Sequence, residues 1–184
     1  SVKNVSFNVR QGEIIGISGL VGAGKTELCK TLGGAMKQSQ GEIRLSGKPL
    51  KITNPFSAVK QGLALVPEER RKEGILVEDP VYANLSATSL DKYSKKFSFI
   101  DKNAEKAAAK EIIADLGIKT PSENQLVKLL SGGNQQKVAV GKWLISDADI
   151  YILDEPTKGV DVGAKQDIFE LIGRLAEMGK GIIY

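Results

Sequence analysis

Eight consecutive residues, Gly19-Leu20-Val21-Gly22-Ala23-Gly24-Lys25-Thr26, constrain this 184-residue chain more than any other stretch. They satisfy the pattern G-x-x-x-x-G-K-[ST] in full. An apolar run of strand length, Glu13 to Ser18, precedes them, and helix-forming residues, Glu27 to Lys30, follow. That context turns the pattern into a structural demand: a strand, a tight glycine turn and a helix start in immediate succession. The glycines let the backbone curl so that successive N–H groups face a phosphate, and the helix end behind them adds partial positive charge. Lys25 would reach the outer phosphates of a nucleoside triphosphate, and the Thr26 hydroxyl would ligate Mg2+. By composition alone such a match arises on the order of once in a hundred chains of this length, and its flanks lower that further.

The rest of the chain reads as an α/β domain. Val5, Phe7 and Val9 alternate with polar residues, as a half-buried strand requires. Short apolar runs at 62–66, 150–153 and 181–184 have the character of central strands covered on both faces. Ile168, Leu171, Ile172 and Leu175 recur at helical spacing, with Gly179 as a C-terminal cap. From about residue 74 to 145 no such strand run occurs. Instead one helix pattern starts at Asp101 and carries Ala104, Ala108, Ile112 and Leu116 on one face; another starts at Ser131 and carries Val138, Leu144 and Ile145. Strands on either side of a helical stretch predict a parallel-sheet core with an inserted α-helical subdomain.

Two further motifs carry chemistry. Asp154-Glu155 ends the run Ile150 to Leu153, at the carboxyl end of a predicted strand, where ligands bind in open α/β sheets. Beside a phosphate loop, Asp154 would hold Mg2+ through water and Glu155 would polarise the attacking water as general base. In Leu130-Ser131-Gly132-Gly133-Asn134, Ser131 caps a helix whose first turn holds two glycines, a second place for an anion.

This ordered set resembles the nucleotide-binding domain of ATP-binding-cassette (ABC) proteins. Gly19 to Thr26 looks like their Walker A loop, Leu130 to Asn134 like their signature, Ile150 to Glu155 like their Walker B, and Gly159-Val160-Asp161 like their D-loop. The resemblance implies a P-loop NTPase core with a mainly parallel sheet, an antiparallel β element near the N-terminus and a helical signature subdomain. It implies a core of residues 1–73 and 146–184, with 74–145 as that subdomain. It further implies that two cassettes pair head to tail, each ATP lying between one Walker A and the other's signature. Gly19, Leu20, Val21, Gly22, Ala23, Gly24, Lys25 and Thr26 would then bind one nucleotide. Ser131, Gly132, Gly133, Asn134 and Asp161 would serve the other. Lys25, Glu155 and Glu68 would be catalytic, and Thr26, Asp154 and Glu68 would hold Mg2+. Glu68 stands where most cassettes have Gln, and Asn134 replaces the more usual Gln of the signature.

The wording of Leu130 to Val138, Gly141 to Leu144 and Asp154 to Lys165 resembles the bacterial monosaccharide importers, most of all the second, C-terminal cassette of their two-cassette ATPase subunit. The implied partners are another cassette, membrane permease subunits and, indirectly, a periplasmic sugar-binding protein. The implied location is the cytoplasmic face of the inner membrane, held peripherally. The resemblance also reads the chain as a cassette cut short at both ends and weakly active alone.

Composition narrows the alternatives. The chain has no histidine, which excludes Ser-His-Asp and Cys-His catalysis and imidazole metal ligands; its one cysteine excludes an internal disulfide. Net charge is +4 and aromatics are 5%, too few for a single-strand stacking platform, and no nucleic-acid partner is expected. An ABC-type ATPase of DNA repair would want a long coiled-coil insert, for which the space here is too short; one of translation would carry a basic linker. A GTPase would want Asp where Val160 follows Thr157-Lys158-Gly159. A nucleotide-binding regulatory module with little turnover stays open. Cys29 and Trp143 read as packing residues, and Arg70-Arg71-Lys72 as a solvated loop.

Overall fold

The computed structural model describes residues 3–94 and 99–184. The strands are β1 (Ile14–Ile15), β2 (Arg44–Leu45), β3 (Lys48–Pro49), β4 (Leu63–Val66), β5 (Ile150–Leu153) and β6 (Gly181–Ile183). The α-helices are α1 (Lys25–Leu32), α2 (Pro55–Lys60), α3 (Val81–Ser86), α4 (Lys102–Asp115), α5 (Gly132–Ser146) and α6 (Val162–Glu177). Two compact units divide the chain. One comprises Ser1–Glu68, Ala148–Pro156 and Ile172–Tyr184; the other comprises Glu69–Asp147 and Thr157–Leu171.

In the first unit a four-stranded sheet runs in the order β1-β6-β5-β4, every neighbouring pair parallel. The strand residues Ala64, Val66, Tyr151, Ile152, Leu153 and Ile182 are buried, which explains why the runs are apolar throughout rather than alternating. Leu63, Ile152 and Ile183 form a core with Cys29 of α1 and Ala58 of α2. Burial pushes the Cys29 thiol up to about 12, so it stays neutral and serves as a small apolar side chain. An antiparallel pair, β2 with β3, lies apart from this sheet.

The N-terminal segment differs from its alternating pattern. Val5 and Phe7 stay substantially exposed, and among the described residues 5–9 join no ladder, so only Val9 reaches the core. Alternation prepares a strand, but a strand also needs a neighbour to receive its hydrogen bonds. β1 is likewise shorter than its apolar run. The Ile182 amide donates to Glu13 O, Tyr184 to Ile15 O, and Ile17 to Tyr184 O, after which the chain leaves β6 to form the glycine loop. Helix α2 starts at an N-cap that Asn54 forms ahead of Pro55. The Asn54 side chain accepts from Ser57 N at 2.8 Å, and Ser57 Oγ accepts from Asn54 N at 3.1 Å.

In the second unit α3, α4 and α5 pack on one another, and α3 adds a helix to the two that periodicity predicts. α5 is buried almost all round, polar residues included: Gln135 Nε2 donates to Val127 O and Leu130 O, and Lys137 pairs with Asp167 at 2.7 Å. Ser131 caps α5 as expected, accepting from Asn134 N, and Asp101 caps α4, accepting from Asn103 N and Ala104 N. The inner face of α4 is a correction. Ala104 is exposed, and the buried positions of the helix are Glu105 and Ala109. Glu105 faces inward because it accepts a short hydrogen bond from the buried Ser86 hydroxyl of α3. Among the described residues no helix is long and apolar enough to cross a membrane.

Two substitutions test this packing by urea unfolding. A Cβ on Gly33 would lie 2.8 Å from Leu65 Cβ, a contact that no rotamer relieves, so Gly33→Ala should cost about 1–3 kcal/mol. Ser86→Ala should cost about 1–3 kcal/mol by leaving the Glu105 carboxylate buried without its donor. An unchanged midpoint in either variant would contradict the corresponding contact.

Candidate functional site

The site begins with backbone geometry. Gly22 and Gly24 have φ of 82° and 95°, left-handed values at which a side chain is strained, and Gly24 is the N-cap residue of α1. The Ala23 amide donates to Leu20 O at 3.0 Å and closes the turn. Leu20 and Val21 stand out in solvent. α1 therefore starts directly behind a glycine turn, with Lys25 and Thr26 as its first two residues.

Two strand ends bring the other groups to those residues. β4 and β5 pair in parallel with Val66 opposite Leu153, so Glu68 and Asp154 leave the sheet at the same end. The Asp154 amide still donates to Val66 O at 2.9 Å, which holds its side chain at the sheet edge. The Thr26 hydroxyl lies 3.3 Å from Glu68 Oε2 and 3.3 Å from Asp154 Oδ1. Lys25 Nζ donates to Glu155 Oε1 at 2.7 Å. Glu155 holds this position with φ of 49°, a left-handed value for a residue with a side chain, and such strain is tolerated where surrounding structure demands it.

The cluster sets three carboxylates against the Lys25 ammonium, with the charge of Lys30 also acting on Asp154. The hydrogen bond that Lys25 donates to Glu155, together with the charges of Glu155, Asp154 and Glu68, raises the Lys25 pKa and keeps it cationic. Asp154 is only 3% exposed, and its Oδ2 is buried with no hydrogen-bond partner among the described residues. Burial raises its pKa, with the nearby charges of Glu68 and Glu155 adding to the rise and the Thr26 hydroxyl opposing it. An orphaned buried carboxylate oxygen beside a second carboxylate and a hydroxyl is a set of hard oxygen donors short of positive charge, which suits a divalent cation.

The remaining expected site residues gather in the second unit. Ser131 Oγ accepts from Asn134 Nδ2 at 2.9 Å, and Asn134 Oδ1 accepts from Lys119 N at 2.8 Å, so this amide is engaged within the chain. Gly132 and Gly133 form the first turn of α5. Asp161 accepts from Ala164 N at 2.9 Å and so caps α6. One residue departs from its sequence reading: Arg70 is no solvated loop residue, since its guanidinium donates to Lys158 O and Gly159 O. A run of basic residues carries no signal that separates such a contact from a wet surface. Trp143 is buried in α5, in line with a packing role.

Against known proteins, the chain matches the family model described as ABC transporter over residues 2–158. It is 46% identical over 182 residues to the ribose import ATP-binding protein RbsA of Clostridium tetani, covering 99% of this chain and 36% of that protein. It is 47% identical over 183 residues to the xylose import ATP-binding protein XylG of Thermoanaerobacter pseudethanolicus, with the same coverage. The chain thus spans little more than a third of these relatives. Among solved structures, a nucleotide-free ATP-binding cassette from an ABC transporter aligns with a TM-score of 0.81 at 23% identity, over 97% of this chain and 72% of that one. A dimeric cassette in a post-hydrolysis state with ADP and phosphate aligns with a TM-score of 0.79 at 23% identity, over 99% and 78%. Both likenesses establish the fold. With the family model spanning most of its length and relatives this similar covering nearly all of it, the chain belongs to the ABC transporter family.

Proposed function

We propose that this chain is an ATP-hydrolysing cassette whose turnover drives monosaccharide import through a membrane permease. The observation that carries the reading is the convergence of Lys25, Thr26, Glu68, Asp154 and Glu155 behind a glycine turn. In this reading residues 19–26 wrap the triphosphate with backbone N–H groups, and Lys25 bonds its outer phosphates. Thr26, Asp154 and Glu68 would hold Mg2+, which neutralises charge building on the phosphate oxygens. The phosphate competes with Glu155 for Lys25, and the carboxylate so released accepts a proton from the attacking water.

The trans half of the reading assigns Ser131, Gly132, Gly133, Asn134 and Asp161 to the nucleotide of an opposing cassette. It takes residues 1–73 and 146–184 as the nucleotide-binding core and 74–145 as the signature subdomain. The relatives' names support sugar import, and their greater length together with the intact signature supports the C-terminal cassette of a two-cassette subunit. A permease, an indirect periplasmic sugar-binding protein and a peripheral place on the inner membrane's cytoplasmic face follow from that assignment.

Two measurements check it. Equilibrium binding of Mg-ATP should weaken about 10- to 100-fold in Lys25→Ala, because a phosphate charge loses its partner. Binding of Mg-GTP in the same samples tests the base preference, and an unchanged ATP affinity would remove the loop assignment. In the full-length protein Glu155→Gln should bind ATP yet release phosphate about 10²- to 10⁴-fold more slowly. Turnover at the wild-type rate would move the base elsewhere, with Glu68 next in line.

A further inference from the structure

Arg70 opens a five-residue π-turn, Arg70–Gly74, closed by the Ile75 amide donating to Arg70 O at 2.8 Å. Its side chain reaches across the unit to the turn before α6. Nη1 donates to Lys158 O at 2.7 Å, and Nη2 donates to Gly159 O at 3.2 Å. The neighbouring Glu69 carboxylate adds a second tie, 3.8 Å from Lys158 Nζ, while also pairing with Lys72 at 3.1 Å. Among the described residues Arg70 Nε is buried with no hydrogen-bond partner, and the two Nη atoms of the part-buried guanidinium are held by carbonyl dipoles. A forked donor suits two adjacent carbonyls; a lysine, a single point of charge, does not reproduce that geometry.

The first turn of α5 rests on this arrangement. A Cβ on Gly132 would lie 2.9 Å from Arg70 Nη2 and 3.0 Å from Gly159 O. A Cβ on Gly133 would lie 2.4 Å from Ala164 Cβ and 3.8 Å from Asp161 Oδ2. Gly133 is therefore required by packing within the chain, and a side chain at Gly132 would press on the Arg70 guanidinium and Gly159 O. At the other end of the π-turn Lys142 of α5 donates to Gly74 O at 2.6 Å, which ties that end of the turn to α5.

We infer that Arg70 is a positioning residue for ATP turnover: its guanidinium fixes the Lys158–Gly159 turn against the start of α5, and so sets where Ser131, Gly132 and Gly133 meet the opposing nucleotide. The inference rests on the ATPase reading above. The substitutions leave residues 19–26 unaltered, so binding and turnover separate.

The test is steady-state phosphate release and equilibrium Mg-ATP binding by the full-length protein carrying Arg70→Gln or Arg70→Lys, with thermal unfolding followed in parallel. Displacing reacting groups by about 1 Å costs roughly 100-fold, so kcat should fall about 10- to 100-fold. The dissociation constant for Mg-ATP should stay within about 2-fold, the pattern of an interaction lost from the transition state alone. Arg70→Lys should not restore kcat although it keeps the charge, and it carries the test if Arg70→Gln fails to fold. A folded variant with wild-type kcat overturns the proposal. So does a fall in kcat and in binding that merely tracks the loss of folded protein. Lys25→Ala run alongside separates the two layers. If it leaves ATP binding intact, the ATPase reading fails and this proposal with it. If it abolishes binding while Arg70→Lys turns over normally, only the positioning role fails.

Discussion

The parallel pairing of β4 with β5 is the constraint on which the candidate site depends. Four consecutive residues of each strand align, Leu63 with Ile150 through Val66 with Leu153, so the two strands end level and point the same way. Glu68 and Asp154 emerge side by side for that reason, and one hydroxyl, that of Thr26, can lie 3.3 Å from both. An antiparallel pairing of the same strands would send the two carboxylates to opposite ends of the sheet. Because both faces of these strands are buried, chemistry is confined to the strand ends, the rule for open parallel sheets.

The electrostatics of those ends run against stability. Burying Asp154 with an unsatisfied oxygen, close to two further carboxylates, raises its pKa; a sheet designed for stability alone would place an apolar residue there. Glu155 adds backbone strain at φ of 49°. The pairing of Lys25 with Glu155 offsets part of this charge imbalance, although both side chains are open enough to solvent for screening to weaken the attraction. Such a cluster is poised to gain from an added cation and an added anion together, which is what a metal–nucleotide complex supplies.

The signature-like turn shows how one pair of residues answers two demands. The signature reading needs Gly132 and Gly133 open toward an anion, and the same missing Cβ atoms allow Arg70, Gly159 and Ala164 to approach. At Gly133 packing alone would select glycine. A glycine motif is therefore weaker evidence of ligand contact than its spacing suggests, and the functional reading draws on the whole ordered set of motifs. Glu105, turned inward to meet Ser86, makes a similar point for α4: a side-chain hydrogen bond can rotate a helix's buried face away from its apolar stripe.

Local patterns in the sequence determined the glycine turn, the start of α1, the caps at Asp101 and Ser131, and the continuous apolar runs of β4, β5 and β6, because each depends on residues within a few positions of one another. The same patterns placed candidate residues at the ends of the right elements. They did not reveal α3 or α2, helices too short to show a full amphipathic period, and they overestimated the strand at residues 5–9, which lacks a ladder partner. Tertiary structure alone decided which strand lies beside which, that Thr26 meets Glu68 and Asp154, that Lys25 pairs with Glu155, and that Arg70 turns toward Lys158 and Gly159. The physical reason is distance along the chain: contacts between residues separated by 42 to 130 positions are selected by the packing of the whole sheet and helix layer, and no local propensity encodes them.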